Sequence, residues 1–232
     1  MERITTTAVV LCAALALSSC GAKDELGTAD APETSISSSS ALPSDKPTST
    51  VNQGPPLQTS GSFEMNGPAS VVGATFDEMP YELPLNPAGP QETMVRWVEG
   101  WGVNPSQAEQ GTMYVLGHAW GQQKLVFNSI SEVVTADVDL NQPAEQVTAV
   151  SGGTVGRYSS DVLNGSRITL SDAAGNQREW IVDNAWLVDK YEAIEDQELM
   201  DEHKAGRIVL IACSVSGTTD LGYNVIVSGH LA

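Results

Sequence analysis

The hydrophobic pattern of the chain changes near Gly61. Beyond that point, short apolar runs alternate with turns that contain Gly and Pro, as is typical of a β protein. Strands are predicted over residues 68–76, 93–98 (or a short helical turn there), 112–118, 166–170, 179–188, 208–213 and 223–228. The roughly 170 residues of this region are enough for one hydrophobic core. The pattern predicts a mostly β domain, a barrel or a sandwich, over residues 61–232.

Some segments of this region have a more specific pattern. Residues 208–213 form an unbroken apolar run, which predicts a strand buried on both faces. Residues 172–176 predict a hairpin turn, and four prolines between residues 80 and 90 predict an extended loop. Residues 192–204 are the best candidate for a helix, which would be short and highly charged.

The first 60 residues have a different composition. Residues 1–19 resemble a secretory signal peptide, with Arg3, an apolar stretch of about ten residues and then small residues. Leu17-Ser18-Ser19-Cys20 resembles a bacterial lipobox, so Cys20 is the predicted lipidation site; ordinary cleavage nearby is the alternative. Residues 20–60 are rich in Ser, Thr and Pro, which predicts a lipidated Cys20 followed by a disordered tether.

The cysteines and the net charge exclude some kinds of bond and partner. Cys12 lies in the signal peptide and Cys20 in the lipobox, so Cys213 has no partner for an intramolecular disulfide. The net charge of −18 disfavours nucleic acid as a partner, and there is no basic stripe. No zinc-ligand spacing is present, and we predict no metal and no cofactor.

His118 and Cys213 are the candidate catalytic residues. Each ends a predicted strand, and a thiol beside an imidazole is the usual arrangement of a thiolate nucleophile and its proton partner. A cysteine at a strand end is more often a core residue, and a lone histidine there is more often structural. Their occurrence together favours the catalytic interpretation.

The order of motifs resembles that of sortases, in particular the class E and F enzymes of actinobacteria. Tyr114-Val-Leu-Gly-His118 is similar to the family's strand that ends in Gly-His, and Ile208-Val-Leu-Ile-Ala-Cys213 to its strand that ends in Thr-Cys. Arg167-Ile-Thr-Leu170 with Glu179-Trp-Ile-Val182 resembles a hairpin of the family, and Tyr223-Asn-Val-Ile-Val227 its final strand. The resemblance implies a closed β-barrel with short helices.

The resemblance also implies a function. Cys213 would cleave a sorting-type peptide at a Thr–Gly bond, hold the acyl part as a thioester and transfer it to an amine, with His118 exchanging the protons. The substrate would be a protein with a sorting motif, and the acceptor a cell-wall precursor, a pilin or another amine. The enzyme, a transpeptidase or hydrolase, would lie on the extracellular face of a Gram-positive membrane, anchored by the N-terminal lipid. The alternatives are a degenerate, non-catalytic sortase-fold lipoprotein that acts as a cell-envelope binding or assembly module, and an unrelated β-rich lipoprotein.

The sequence departs from the family at one catalytic position. The family has an Arg at the start of the last strand, whereas residues 221–224 contain no cation, and the family's Thr before the cysteine is Ala212. Lys190 and Arg157 are candidate replacements, the latter from an apparent insertion at residues 132–161. Asn224 is a neutral donor that could stabilise an oxyanion. Arg207 is excluded, because six residues of strand place it about 20 Å from Cys213.

Overall fold

The structure is a computed structural model that describes residue 52 and residues 54–232. The predicted signal peptide, Cys20, and residues 21–51 and 53 of the predicted tether lie outside the described residues. The strands are β1 (Gly61–Asn66), β2 (Val71–Pro80), β3 (Met94–Gly102), β4 (Thr112–Leu116), β5 (Glu145–Thr148), β6 (Thr154–Ser160), β7 (Arg167–Asp172), β8 (Gln177–Asp189), β9 (Arg207–Ser216) and β10 (Thr219–Leu231). The α-helix α1 (Asn128–Asp137) follows β4, and two short 3-10 helices span Pro105–Gln107 and Ala193–Glu195.

Eight of these strands form a closed barrel. Their order is β10-β9-β4-β3-β2-β1-β7-β8, and β8 closes the ring by pairing with β10 along Trp180–Asp189. β2–β3 and β4–β9 are parallel, and the other barrel pairs are antiparallel. The hairpin β5–β6 lies outside this ring and pairs through β6 with the C-terminal half of β8. The predicted mostly β, closed-barrel fold class is confirmed.

The barrel interior holds the main core. All eight barrel strands contribute buried side chains to it, among them Phe63, Trp97, Trp180 and Leu210, and Ile130 of α1 joins them. A second core lies on the outer face of the barrel and includes Trp101, Tyr114, Trp186 and Val209. Alternate residues of β9 therefore enter different cores, which explains why its sequence is apolar without a break. The prediction of a strand buried on both faces is confirmed.

The prediction of a helix over residues 192–204 is wrong. Beyond the 3-10 turn at Ala193–Glu195 the segment is a series of turns. The carboxylate of Asp196 is fully buried and accepts hydrogen bonds from Arg157, from the Trp186 indole and from the Leu199 backbone amide. These contacts stabilise an irregular conformation of the segment. A helix there would be highly charged, with little apolar surface to bury, and would lose these contacts. The α-helix lies instead at Asn128–Asp137, partly within the predicted insertion.

The described end of the predicted tether contacts the barrel. Leu57 is buried in the interior core, and the Trp97 indole donates a hydrogen bond of 2.8 Å to the carbonyl of Thr59. Asn52 donates to the carbonyls of Glu179 and Ala232. The packed domain therefore begins before Gly61. Within the described range, neither α1 nor the 3-10 helices are long and apolar enough to cross a membrane.

Candidate active site

The parallel pair β4–β9 brings His118 and Cys213 together. Leu116 lies opposite Ile211, and the amide of Gly117 donates a 3.1 Å hydrogen bond to the Ile211 carbonyl. The two strands run in the same direction. His118 lies two residues after Leu116, and Cys213 lies two residues after Ile211. Neighbouring strands are about 4.8 Å apart, and residues two positions on point to the same face. The two strand ends predicted from the sequence are therefore adjacent.

Both side chains line one cleft on the outer face of the barrel, with a volume of about 380 Å³. One wall is the loop between β2 and β3, and the other is the segment that follows β8. The lining is mostly apolar, with Leu85, Trp101 and Met200 as its larger members. Its polar side chains are Asn86, His118, Lys190, Cys213 and Asn224. A concave apolar site with a few convergent polar groups is the usual form of a binding or catalytic cleft.

A backbone carbonyl orients the histidine ring. The Nε2 atom of His118 lies 2.8 Å from the carbonyl oxygen of Pro87, in the loop between β2 and β3. A carbonyl only accepts, so Nε2 carries the proton and, in the neutral ring, Nδ1 has the free lone pair. The His118 ring and the Cys213 thiol are both partly buried and line the same cleft. Nδ1 is thus the nitrogen available for proton exchange.

The N-terminal end of α1 holds the His118 backbone. The amide of Phe127 donates a 2.9 Å hydrogen bond to the His118 carbonyl. A Cβ atom added to Gly117 would lie 2.3 Å from the Phe127 ring, so only glycine allows this close approach. Packing against Phe127 therefore explains the glycine of the Gly117-His118 pair.

The same helix holds the end of β9. The buried hydroxyl of Ser131 donates a 2.7 Å hydrogen bond to the Cys213 carbonyl and accepts a 3.0 Å bond from the Val215 amide. This hydroxyl bridges two backbone groups on either side of Ser214, where β9 turns away from regular pairing with β10. Helix α1 thus fixes the backbone of both candidate catalytic residues. The sequence carries no local signal for Ser131, because the contact joins residues far apart in the chain.

Lys190 is the cation of the cleft. It follows β8, its amide donates to the Gly222 carbonyl at 3.1 Å, and its ammonium pairs with Asp220. Burial lowers the pKa of Lys190, but the hydrogen bond to Asp220 and the proximity of Cys213 raise it more, so the pKa is above its ordinary value. Lys190 is therefore a permanent cation near the thiol at neutral pH. Asp220 was not anticipated from the sequence.

Asn224 also lies where the sequence suggested. It faces Cys213 directly in the β9–β10 register, and its side chain lines the cleft. Arg157, the other suggested oxyanion group, does not line the cleft. Its guanidinium is 5% exposed, bonds to Asp196 and Glu198 and lies 4.4 Å from the centre of the Trp186 ring. The predicted insertion places Arg157 on β6, where it pairs with the buried Asp196 and the partly exposed Glu198. The suggestion that Arg157 acts as the oxyanion group of this cleft is therefore wrong, and its role is structural.

Comparison with known proteins adds a likeness of fold. No protein-family model matches the chain, and no curated protein matches it. Solved structures similar to this chain include sortases. Sortase A from Listeria monocytogenes is 16% identical with a TM-score of 0.43, over 74% of this chain and 87% of that one.

Two further sortases have similar identities and TM-scores. Sortase C-1 from Actinomyces oris is 14% identical with a TM-score of 0.41, over 73% of each chain. A lid mutant of Streptococcus agalactiae sortase C1 is 12% identical with a TM-score of 0.44, over 76% of this chain and 72% of that one.

Proposed function

We propose that the protein is a cysteine transpeptidase of sortase type, which cleaves a sorting-type peptide and transfers its acyl part to an amine. The observation that carries the proposal is the parallel β4–β9 register, which puts His118 and Cys213 side by side in one apolar cleft. A nucleophile beside a base that a third group orients is the arrangement that covalent acyl transfer needs. Here the orienting group is the Pro87 carbonyl.

The first half-reaction forms the thioester. The Cys213 thiolate attacks the carbonyl carbon of the scissile peptide bond, a C–S bond forms and the carbonyl oxygen becomes an oxyanion. The C–N bond then breaks, and the His118 imidazolium gives its proton to the leaving amine. In the second half-reaction the incoming amine attacks the thioester and loses a proton to His118. The C–S bond breaks and the thiolate is regenerated.

Lys190 and Asn224 supply the stabilising groups in this scheme. The Lys190 ammonium lies near the Cys213 sulfur and supplies a positive charge beside the attacking thiolate. Asn224 is the neighbour of Cys213 across the β9–β10 ladder and carries an amide donor for the oxyanion. Lys190 comes from the end of β8 and thus provides a cation that the start of β10 lacks.

The proposed location is the outer face of the membrane, with the lipid on Cys20 as the anchor. The support is the sequence of residues 17–20 and the composition of the segment that follows. Intact mass of the membrane-extracted protein tests it. We expect an acyl mass on a chain that begins at Cys20, and its loss in Cys20→Ala. A mature chain that begins elsewhere without acyl mass would refute the anchor.

One observation favours a second function, a non-catalytic module that binds peptides at the cell envelope. Residues 221–224 at the start of β10 contain no Arg or Lys. In that case the cleft would bind a peptide and Cys213 would not react with it.

Product analysis separates the two functions. The protein is incubated with a pool of peptides that contain Thr–Gly bonds and with triglycine as the amine, and products are identified by mass spectrometry. We expect exchange of the C-terminal part for triglycine, its complete loss in Cys213→Ala and strong slowing in His118→Ala. Tight peptide binding with no exchange and no hydrolysis would establish the binding module instead.

A further inference from the structure

A second and larger cavity adjoins the cleft. It has a volume of about 750 Å³ and lies between the β5–β6 hairpin and the segment from Ile194 to Asp201. Ile194 and Met200 line both the cavity and the cleft, so the two concavities share a wall of two side chains. The cavity and the Cys213 cleft are therefore immediate neighbours.

Several contacts hold this cavity in shape. The Gln197 amide donates to the Thr148 carbonyl at 3.3 Å, and the Val150 amide donates to the Glu195 carbonyl at 2.8 Å. The buried Arg157 joins β6 to the opposite wall through Asp196 and Glu198. These contacts tie both walls of the cavity together.

The chemistry of the cavity points to one kind of ligand. Val150 is 59% and Ile194 57% exposed, and together they leave apolar surface open to solvent. Three charged side chains line the cavity: Arg157 pairs with Glu198, and Asp201 adds one further negative charge. The site therefore suits an apolar side chain next to a positive charge.

We propose that this cavity binds the substrate polypeptide on the acyl side of the scissile bond, at an apolar residue that neighbours a Lys or Arg. The inference rests on the proposed function of the Cys213 cleft. A contact on the acyl side would add affinity for the substrate polypeptide before the thioester with Cys213 forms. The hairpin β5–β6 is then a specificity element of this chain.

Binding of an unreactive peptide tests the cavity without any chemistry. The probes are two fluorescein-labelled peptides, acetylated at the N-terminus, of alternating Lys and Leu or of alternating Glu and Leu, measured by anisotropy at physiological salt. We expect the Lys–Leu peptide to bind at least about tenfold more tightly than the Glu–Leu peptide. Val150→Lys should abolish that preference. Val72→Lys is the matched control, because it adds the same charge at a different place. Val72 is 77% exposed on β2 and lines neither the cavity nor the cleft.

Labelling of Cys213 tests the connection to the cleft. A short peptide vinyl sulfone is compared with one that carries a Lys–Leu–Lys–Leu extension at its N-terminus. The extension should raise the labelling rate about tenfold in wild type and in Val72→Lys, but not in Val150→Lys. Equal affinities for the two peptides, or equal effects of the two Lys variants, would overturn the cavity proposal while labelling by the short probe persists. Binding without labelling by either probe would overturn the proposed function, and with it the assignment to the acyl side.

Discussion

Lys190 and Arg157 lie close together in the sheet and in very different surroundings. Arg157 on β6 pairs in register with Val188 of β8, only two residues before Lys190. The Arg157 side chain is 5% exposed and bonds to two carboxylates, one of them fully buried. The Lys190 side chain is 26% exposed, pairs with the half-exposed Asp220 and lines the cleft. Both are cations near the end of β8, yet only Lys190 lines the cleft that holds Cys213.

The difference shows how burial decides the use of a charge. A buried cation is tolerated only when carboxylates and hydrogen bonds satisfy it, so Arg157 is committed to the fold. An ammonium has three donors, and a half-exposed one with a single carboxylate partner keeps the others available. The cation that serves the cleft is therefore the less buried of the two.

Removal of Arg157 should give the largest effect, and it should fall on stability. Arg157→Met leaves the Asp196 carboxylate buried beside Trp186 without its cation. We expect the free energy of unfolding to fall by about 3–5 kcal/mol, measured by urea denaturation. Any remaining folded protein should react with iodoacetamide at the wild-type rate. A fully stable variant with an unreactive thiol would reverse the roles assigned to the two cations.

Ser131→Ala should have the next largest effect, because it changes how the backbone at Cys213 is held and leaves the charges of the cleft unchanged. It leaves the Cys213 carbonyl and the Val215 amide without their bridging hydroxyl in a buried place. We expect a loss of about 1–3 kcal/mol in unfolding free energy, with slower labelling of Cys213 across the whole pH profile. Ser129→Ala is the control on the same helix, where the hydroxyl bonds to the exposed Ser70 carbonyl. Equal results for the two serines would show that α1 does not position the thiol.

Lys190→Met should separate reactivity from stability. Loss of the ammonium removes the positive charge near the thiolate, and labelling by iodoacetamide at neutral pH should slow about tenfold. The ion pair with Asp220 is partly exposed, so the unfolding free energy should change by less than about 1 kcal/mol. Lys190→Arg keeps the charge and should keep most of the rate. An unchanged rate in Lys190→Met would remove Lys190 from the cleft chemistry.

Asp220→Asn should give the smallest effect, confined to acid pH. Burial raises the pKa of Asp220, but the hydrogen bonds from Lys190 and from the Gly222 amide and the charge of Lys190 together lower it more, so the pKa is below its ordinary value of 3.8. A carboxylate with a depressed pKa stabilises the fold fully above pH 3.8 and loses this contribution as the pH falls through the folded-state pKa. Wild type should therefore lose stability more steeply than Asp220→Asn below pH 4, in thermal melts at a series of pH values. Parallel curves for the two proteins would contradict the pairing.

The sequence predicted the barrel well because its strands are short, apolar and separated by Gly and Pro. The positions of β4, β7, β8, β9 and β10 agree with the predicted runs to within a few residues. The sequence identified His118 and Cys213 as residues at strand ends and left their adjacency open, and the parallel β4–β9 pairing brings these strand ends together.

The sequence could not predict contacts that join distant segments. The helix prediction over residues 192–204 failed because the buried Asp196 is held by Arg157, Trp186 and the Leu199 amide, and two of these partners are on strands outside this segment. The hydroxyl bridge from Ser131 and the Pro87 carbonyl that orients His118 have no local pattern at all. The choice between Lys190 and Arg157 needed the burial of each side chain, which strand periodicity does not give.

The central claim is that Cys213 is an activated thiol with His118 as its proton partner, and the rate of thiol labelling tests it most directly. Iodoacetamide and a short peptide vinyl sulfone are reacted with the folded protein near neutral pH, and modification of Cys213 is followed by mass spectrometry. We predict faster labelling in the folded protein than after denaturation, a slower rate in His118→Ala and no change in His230→Ala, whose ring instead contacts Asp183. A Cys213 that stays unlabelled when folded and reacts only after denaturation would contradict the account.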